Sequence, residues 1–159
     1  MKKKLKWIFV LVVVVFIGMQ LANPALKNPP VIPGHDLMAT NPPPPEVAAL
    51  LRRACYDCHS NETKWPWYAH VAPVSWWIVS HMKEGREDLN FSEWPHGDAY
   101  VAGDQLSRIG DEVQSRKMPL PSYTWLGMHP EARLTLEERG QILKWTEQAG
   151  QRLSADEGK

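Results

Sequence analysis

Five consecutive residues, Cys55-Tyr56-Asp57-Cys58-His59, are the part of this chain best equipped for chemistry. Two thiols three positions apart stand close together on a short helix, and the next residue carries an imidazole. That spacing suits covalent attachment of a c-type haem, with one thioether from each cysteine and the iron bound from the proximal side by His59. Cys55 and Cys58 are the only cysteines in 159 residues, so a structural disulfide framework is excluded. Two other uses of the pattern fit less well. A thioredoxin-like Cys-x-x-Cys needs a βαβ setting, and no strand pattern precedes Cys55. A zinc site from Cys55, Cys58 and two histidines is geometrically possible, but it leaves the N-terminal pattern and a Met-Pro loop unexplained.

A haem held by His59 needs a second axial group. Met118 is the expected distal ligand for a local reason: Pro119 disfavours α geometry at the residue before it, so the helix ends near Lys117 and Met118 falls in an extended loop. Pro121 stiffens that loop further. Met82 lies on an apolar helical face and reads as core, while Met128 sits in a loop. His35, His70, His81, His96 and His129 are alternative ligands without a comparable positioning device. Trp65, Trp67 and Tyr68, with Trp76, Trp77 and Trp125, are expected to wall the ring, since Trp and Tyr combine large apolar area with one polar handle. Arg52, Arg53 and Lys64 are the cationic candidates for its propionates. The proximal imidazole should donate its other N–H to a backbone carbonyl, and Pro66 and Pro73 mark candidate loops.

Helices are the elements that must hold these groups. Residues 46–54 follow Pro45 with Glu46 in the first turn and place Val47, Leu50, Leu51 and Ala54 on one face, running directly into Cys55. A second helix is predicted from Pro73 to about Glu84, stopped by Gly85, and a third from an Asp104 cap to Lys117. Thr135 and Glu138 form a capping box that opens a last helix reaching about Gln148. The expected fold is all-α, cytochrome c-like, with about four helices and long loops around one haem. No internal repeat is present.

The N-terminus is a different kind of segment. Lys2, Lys3, Lys4 and Lys6 precede the apolar run Trp7–Met19, a basic-then-apolar pattern that reads as a signal-anchor helix over residues 1–23. Retention is favoured over cleavage, because Leu21-Ala22-Asn23-Pro24-Ala25 offers no good small-x-small site. The expected location is therefore a bacterial inner membrane, with the haem domain in the periplasm, or exported if the helix is cleaved. Residues 24–45 contain eight prolines and read as a linker, either a polyproline spacer of roughly 60 Å or a segment packed on the domain. Residues 46–150 form the haem domain and 151–159 a polar tail. Beyond the lysine cluster, 14 basic residues face 18 acidic ones, and no basic patch suggests nucleic acid.

The motif with its flanks, Cys55–Thr63, Trp65-Pro66-Trp67-Tyr68 and Val71–Trp76, resembles the bacterial family of small exported haem-binding domain proteins. Glu84-Gly85-Arg86, Asn90–Trp94 and Met118–Tyr123 carry the same likeness, which spans about residues 35–148. The resemblance implies a c-type cytochrome-like haem protein. The expected function is single-electron transfer by one haem c rather than enzymatic catalysis. A haem-based sensor with a displaceable sixth ligand is the alternative, and a peroxidase would have only His129 as distal acid–base group. Expected partners are unidentified redox proteins, the membrane through the N-terminal helix and the cytochrome c maturation machinery.

Overall fold

The structure, a computed structural model, describes residues 1–95, 97–124 and 128–157. Eight α-helices and no strand are present among the described residues: α1 Lys2–Gln20, α2 Leu37–Thr40, α3 Pro45–Ala54, α4 Tyr56–His59, α5 Val74–Asp88, α6 Ala99–Gln114, α7 Pro121–Thr124 and α8 Leu136–Glu157. The all-helical expectation holds, but short helices α2, α4 and α7 join the four longer ones of the body.

The best-patterned helices form for the predicted reasons. In α3, Pro45 occupies the first turn, where its missing N–H removes no helical bond, and Val47, Leu50, Leu51 and Ala54 are buried. The capping box at α8 closes both ways. Thr135 N–H donates to Glu138 Oε2 at 2.8 Å, and Glu138 N–H donates to Thr135 Oγ1 at 3.2 Å. Other boundaries differ from the prediction. The cap of α6 is Asp98, whose Oδ1 accepts from Val101 N–H at 3.0 Å, so the helix starts five residues before Asp104. Helix α5 runs through Gly85 to Asp88. Helix α8 continues past Gln148 to Glu157, and Leu153 in the expected polar tail packs on the core.

Most of the core gathers α3, α6 and α8 with Leu37, Tyr56, Phe91 and Trp94. Helices α6 and α8 approach closely at Gly110, where a Cβ would lie 2.9 Å from Thr146 Oγ1 and 3.2 Å from Leu143 Cδ1. A second, smaller cluster of Ala69, Ile78 and Met82 lies on α5 and the 3₁₀ turn Trp67–His70, with Leu26, Cys58, Trp65 and Tyr68 against it. The motif helix α4 sits between the two.

The proline-rich segment lies along the body as a strap rather than standing off it as a spacer. Asn28 donates to Thr63 O at 2.9 Å, Asn61 Nδ2 donates to Pro30 O at 3.1 Å, and Tyr56 O–H donates to the Asp36 carboxylate at 3.1 Å. Leu37 is fully buried.

The expected membrane span is not found. Among the described residues no helix is long and apolar enough to cross a membrane. Helix α1 has 19 residues, but four lysines lie at its start. The 13 apolar residues Trp7–Met19 cover about 20 Å at 1.5 Å per residue, against roughly 30 Å of bilayer hydrocarbon. The inner-membrane location and the periplasmic placement of the haem domain rested on that span and fall with it. The end of α1 is instead tied to the body: Gln20 exchanges hydrogen bonds with Ala72 O and N at 3.2 and 3.0 Å, and Trp76 Nε1–H donates to Ala22 O at 3.0 Å.

Candidate functional site

Helix α4 is a single turn that begins as α3 ends, and His59 N–H closes it on Cys55 O at 2.9 Å. The polar residues that follow fix it in place. Ser60 Oγ donates to Tyr56 O at 2.7 Å, Thr63 Oγ1 donates to Asp57 O at 2.7 Å, and Arg86 Nε donates to Ser60 O at 2.8 Å. Both cysteines are free thiols. Burial pushes the Cys55 thiol up to about 12, with Cys58 adding to it and Arg53 and Arg139 opposing. Burial, with Asp57, pushes Cys58 up to about 11. Both therefore stay protonated near neutral pH.

His59 Nδ1 lies 2.8 Å from Gly85 O and 3.1 Å from Leu89 O. Carbonyls only accept, so Nδ1 carries the proton, and Nε2 is left without a protein partner among the described residues. The expected carbonyl acceptor for the imidazole N–H is thus present, but it comes from the end of α5 and not from the Pro66 or Pro73 loops. Burial holds the imidazole below the usual histidine range, partly offset by these two carbonyl bonds and by Asp88. A neutral imidazole with its outer nitrogen anchored and its inner one free is the form that ligates iron. Gly85 makes the contact possible, since a Cβ there would lie 3.2 Å from Cys58 O and 3.5 Å from His59 Cε1. Its place in the last turn of α5 reflects close approach, not a stop signal.

Two open clefts meet at His59. One, of about 230 Å³, is lined by Cys55, His59, Phe91, Gln105, Arg108 and Met118, among others. The other, of about 250 Å³, is lined by Cys58, His59, His81, Gly85, Met118 and Tyr123, among others. Met118 is half-buried and borders both. Its loop is held by Arg139, whose Nη1 donates to Val113 O at 2.7 Å and to Met118 O at 2.8 Å. The structure thus brings Cys55, Cys58, His59 and Met118 around the two clefts, Cys55 lining the first and Cys58 the second. Free thiols, one free imidazole nitrogen and an apolar-walled space fit a haem.

The aromatics divide differently from the expectation. Tyr68 lines a third cleft beside Cys58, with Trp77, His81, Met82, Tyr123 and His129. Its hydroxyl bonds His129 Nε2, His129 Nδ1 lies 3.1 Å from Glu131 Oε1, and the His129 ring stacks on Tyr123 at 4.0 Å. Trp65 packs in the smaller cluster, and its Nε1–H finds no acceptor among the described residues. Trp67 is 78 % exposed and lines none of the three clefts. Trp76 is engaged with Ala22, while Trp125 and His96 lie outside the described residues. The arginines are occupied elsewhere: Arg52 pairs with Glu62, and Arg53 binds Glu131 O and Glu138. Phe91, whose ring is 6.1 Å from His59, and Gly85 fall in segments that carry the family likeness but were not expected at the site, and Arg108 was not singled out at all. A polar stripe at Gln105, Arg108 and Glu112, beside the apolar face of α6, is the signal that points to Arg108. Among the described residues no group of three or more His, Cys, Asp or Glu is placed to hold a metal ion.

Fold and site together define an all-helical protein with a C-x-x-C-H turn opening onto two apolar-walled clefts. Over residues 14–148 the chain matches the haem-binding domain family, and it belongs to that family. It is a haem-binding protein. The comparisons with curated proteins and with solved structures found no match.

Proposed function

We propose that the protein is a c-type haem protein that carries single electrons on one covalently attached haem. In this reading Cys55 and Cys58 form the thioethers, His59 Nε2 is the proximal ligand and Met118 Sδ the distal one. The bound haem would supply a one-electron ferric/ferrous couple. The chain's own part is to hold both axial side chains still while charge changes. Gly85 and Leu89 fix the imidazole through Nδ1–H, and Arg139 fixes the Met118 loop. Phe91, Ile109 and Val113 keep part of the wall apolar. His/Met ligation raises the potential relative to bis-His, so a moderately positive carrier is expected. The partners are redox proteins, and attachment needs a haem-ligating apparatus.

The observation that carries this reading is the anchoring of His59 Nδ1, with both thiols opening onto clefts that share Met118. The test is optical and redox characterisation of protein co-expressed with a haem-attachment apparatus. Haem that survives acid–acetone extraction, and a low-spin spectrum lost in His59→Ala, are expected. Met118→Ala should lower the potential and open the sixth position, and an unchanged spectrum would show that another residue is the ligand. Rapid carbon monoxide binding by the ferrous wild type at neutral pH would move the reading to a ligand-binding sensor.

A further inference from the structure

Haem brings two carboxylates, and they sit on the ring edge opposite the vinyl groups that thioethers use. The cleft containing Cys55, His59 and Met118 has one cation among its lining residues, Arg108 of α6. The companion cleft has no Lys or Arg in its lining, but it has Glu84 and Asp88. Lys64 lines the third cleft, which contains neither His59 nor Met118. Arg52 and Arg53 are paired elsewhere.

We propose that Arg108, with Gln105 three residues earlier on the same helix face, binds a haem propionate. The assignment rests on the haem reading above. Residues three apart on a helix are neighbours, so a guanidinium and an amide N–H₂ can share one carboxylate. Among the described residues Arg108 forms no ion pair, although Asp104 and Glu112 lie one turn to either side. Glu112 is held by Lys117 Nζ at 3.2 Å. Asp88, the other acid of the cleft, stands near His59. Arg108 is exposed at the rim, where a propionate meets water, and a carboxylate at that rim gives it the partner the polypeptide does not.

The test compares holoprotein of wild type, Arg108→Gln, Arg108→Lys and the surface control Arg52→Gln, each followed by optical redox titration across pH. Circular dichroism checks the fold, and haem content is measured after acid–acetone extraction. Haem content should be unchanged in Arg108→Gln, because the thioethers remain. Its reduction potential should fall, since a cation beside the ring favours the reduced state. The acid constant of the redox-linked carboxylate should weaken about tenfold, moving the inflection of potential against pH upward by about one unit. Arg108→Lys should recover part of both changes. Arg108→Gln with the wild-type potential and inflection would overturn the proposal. Haem absent from the extracted wild type would instead overturn covalent attachment, a distinguishable result.

Discussion

Replacing Gly85 by alanine tests the packing that holds the proximal imidazole. In a helix interior alanine is favoured over glycine by about 0.5–1 kcal/mol, so a Gly85 without a packing role would give a stabilised variant. The added Cβ would instead lie 3.2 Å from Cys58 O and 3.5 Å from His59 Cε1. The nearer atom is backbone of the motif turn, and it cannot swing aside without moving His59. Relief therefore requires α5 to shift by a few tenths of an ångström, and crowding of this kind costs about 1–3 kcal/mol. The expected net effect is a destabilisation of roughly 0–2.5 kcal/mol, read by thermal or urea denaturation. The same shift lengthens the 2.8 Å bond from His59 Nδ1 to Gly85 O, while Leu89 O at 3.1 Å remains. A bond weakened by about 0.5 kcal/mol makes the imidazole less electron-rich and raises the reduction potential by about 20 mV. Protein-film voltammetry resolves that difference. A variant stabilised by the full alanine increment with an unmoved potential would refute the close-approach argument.

Four further outcomes follow from the geometry. Arg139→Ala should lower stability by roughly 1–2 kcal/mol and weaken the spectroscopic signature of methionine ligation, with Arg139→Lys intermediate, because one guanidinium nitrogen holds both Val113 O and Met118 O. In apoprotein made without haem attachment, Cys58 should be alkylated at pH 8 about a hundredfold more slowly than an unhindered thiol, with the rate climbing about tenfold per pH unit, since its thiol is pushed up to about 11. The same raised values mean that both thiols favour the folded apoprotein below about pH 9, and that this contribution is lost as pH rises toward 11 and 12, measurable as a falling melting temperature. Leu106→Ala, at a fully buried position of α6, should lower stability by about 2–5 kcal/mol in urea denaturation.

What was legible in the sequence was what adjacent residues decide. Pro45 and Glu46 marked the start of α3, and the Thr135/Glu138 box marked that of α8. Boundaries set by distant contacts were not. Gly85 reads locally as a helix stop, yet it is a close-packing residue inside α5, because its neighbour is the Cys58 carbonyl in another part of the chain. The start of α6 was missed because Gly103 and the exposed Tyr100 and Val101 blur the apolar period, although Asp98 is a good cap four residues before the buried Ala102. The carbonyls that anchor His59 belong to residues 26 and 30 positions away, and backbone acceptors leave no mark in side-chain identity. The N-terminal run misled for another reason: its lysines and apolar residues occupy one helix, too short in its apolar part to cross a membrane.

The unequal size of the two apolar clusters has a consequence for the life history of the chain. The α3–α6–α8 cluster has a broad interior of its own, whereas α5 closes on three buried residues, Ala69, Ile78 and Met82. Amide hydrogen exchange should therefore be slow in α6 and α8 from the moment of synthesis, but fast in α5 until a ring fills the space beside His59. A protease meeting the chain before loading would cut around α5 and spare the α6–α8 pair. Haem bound beside His59 would then protect the less well-packed half of the chain from cleavage.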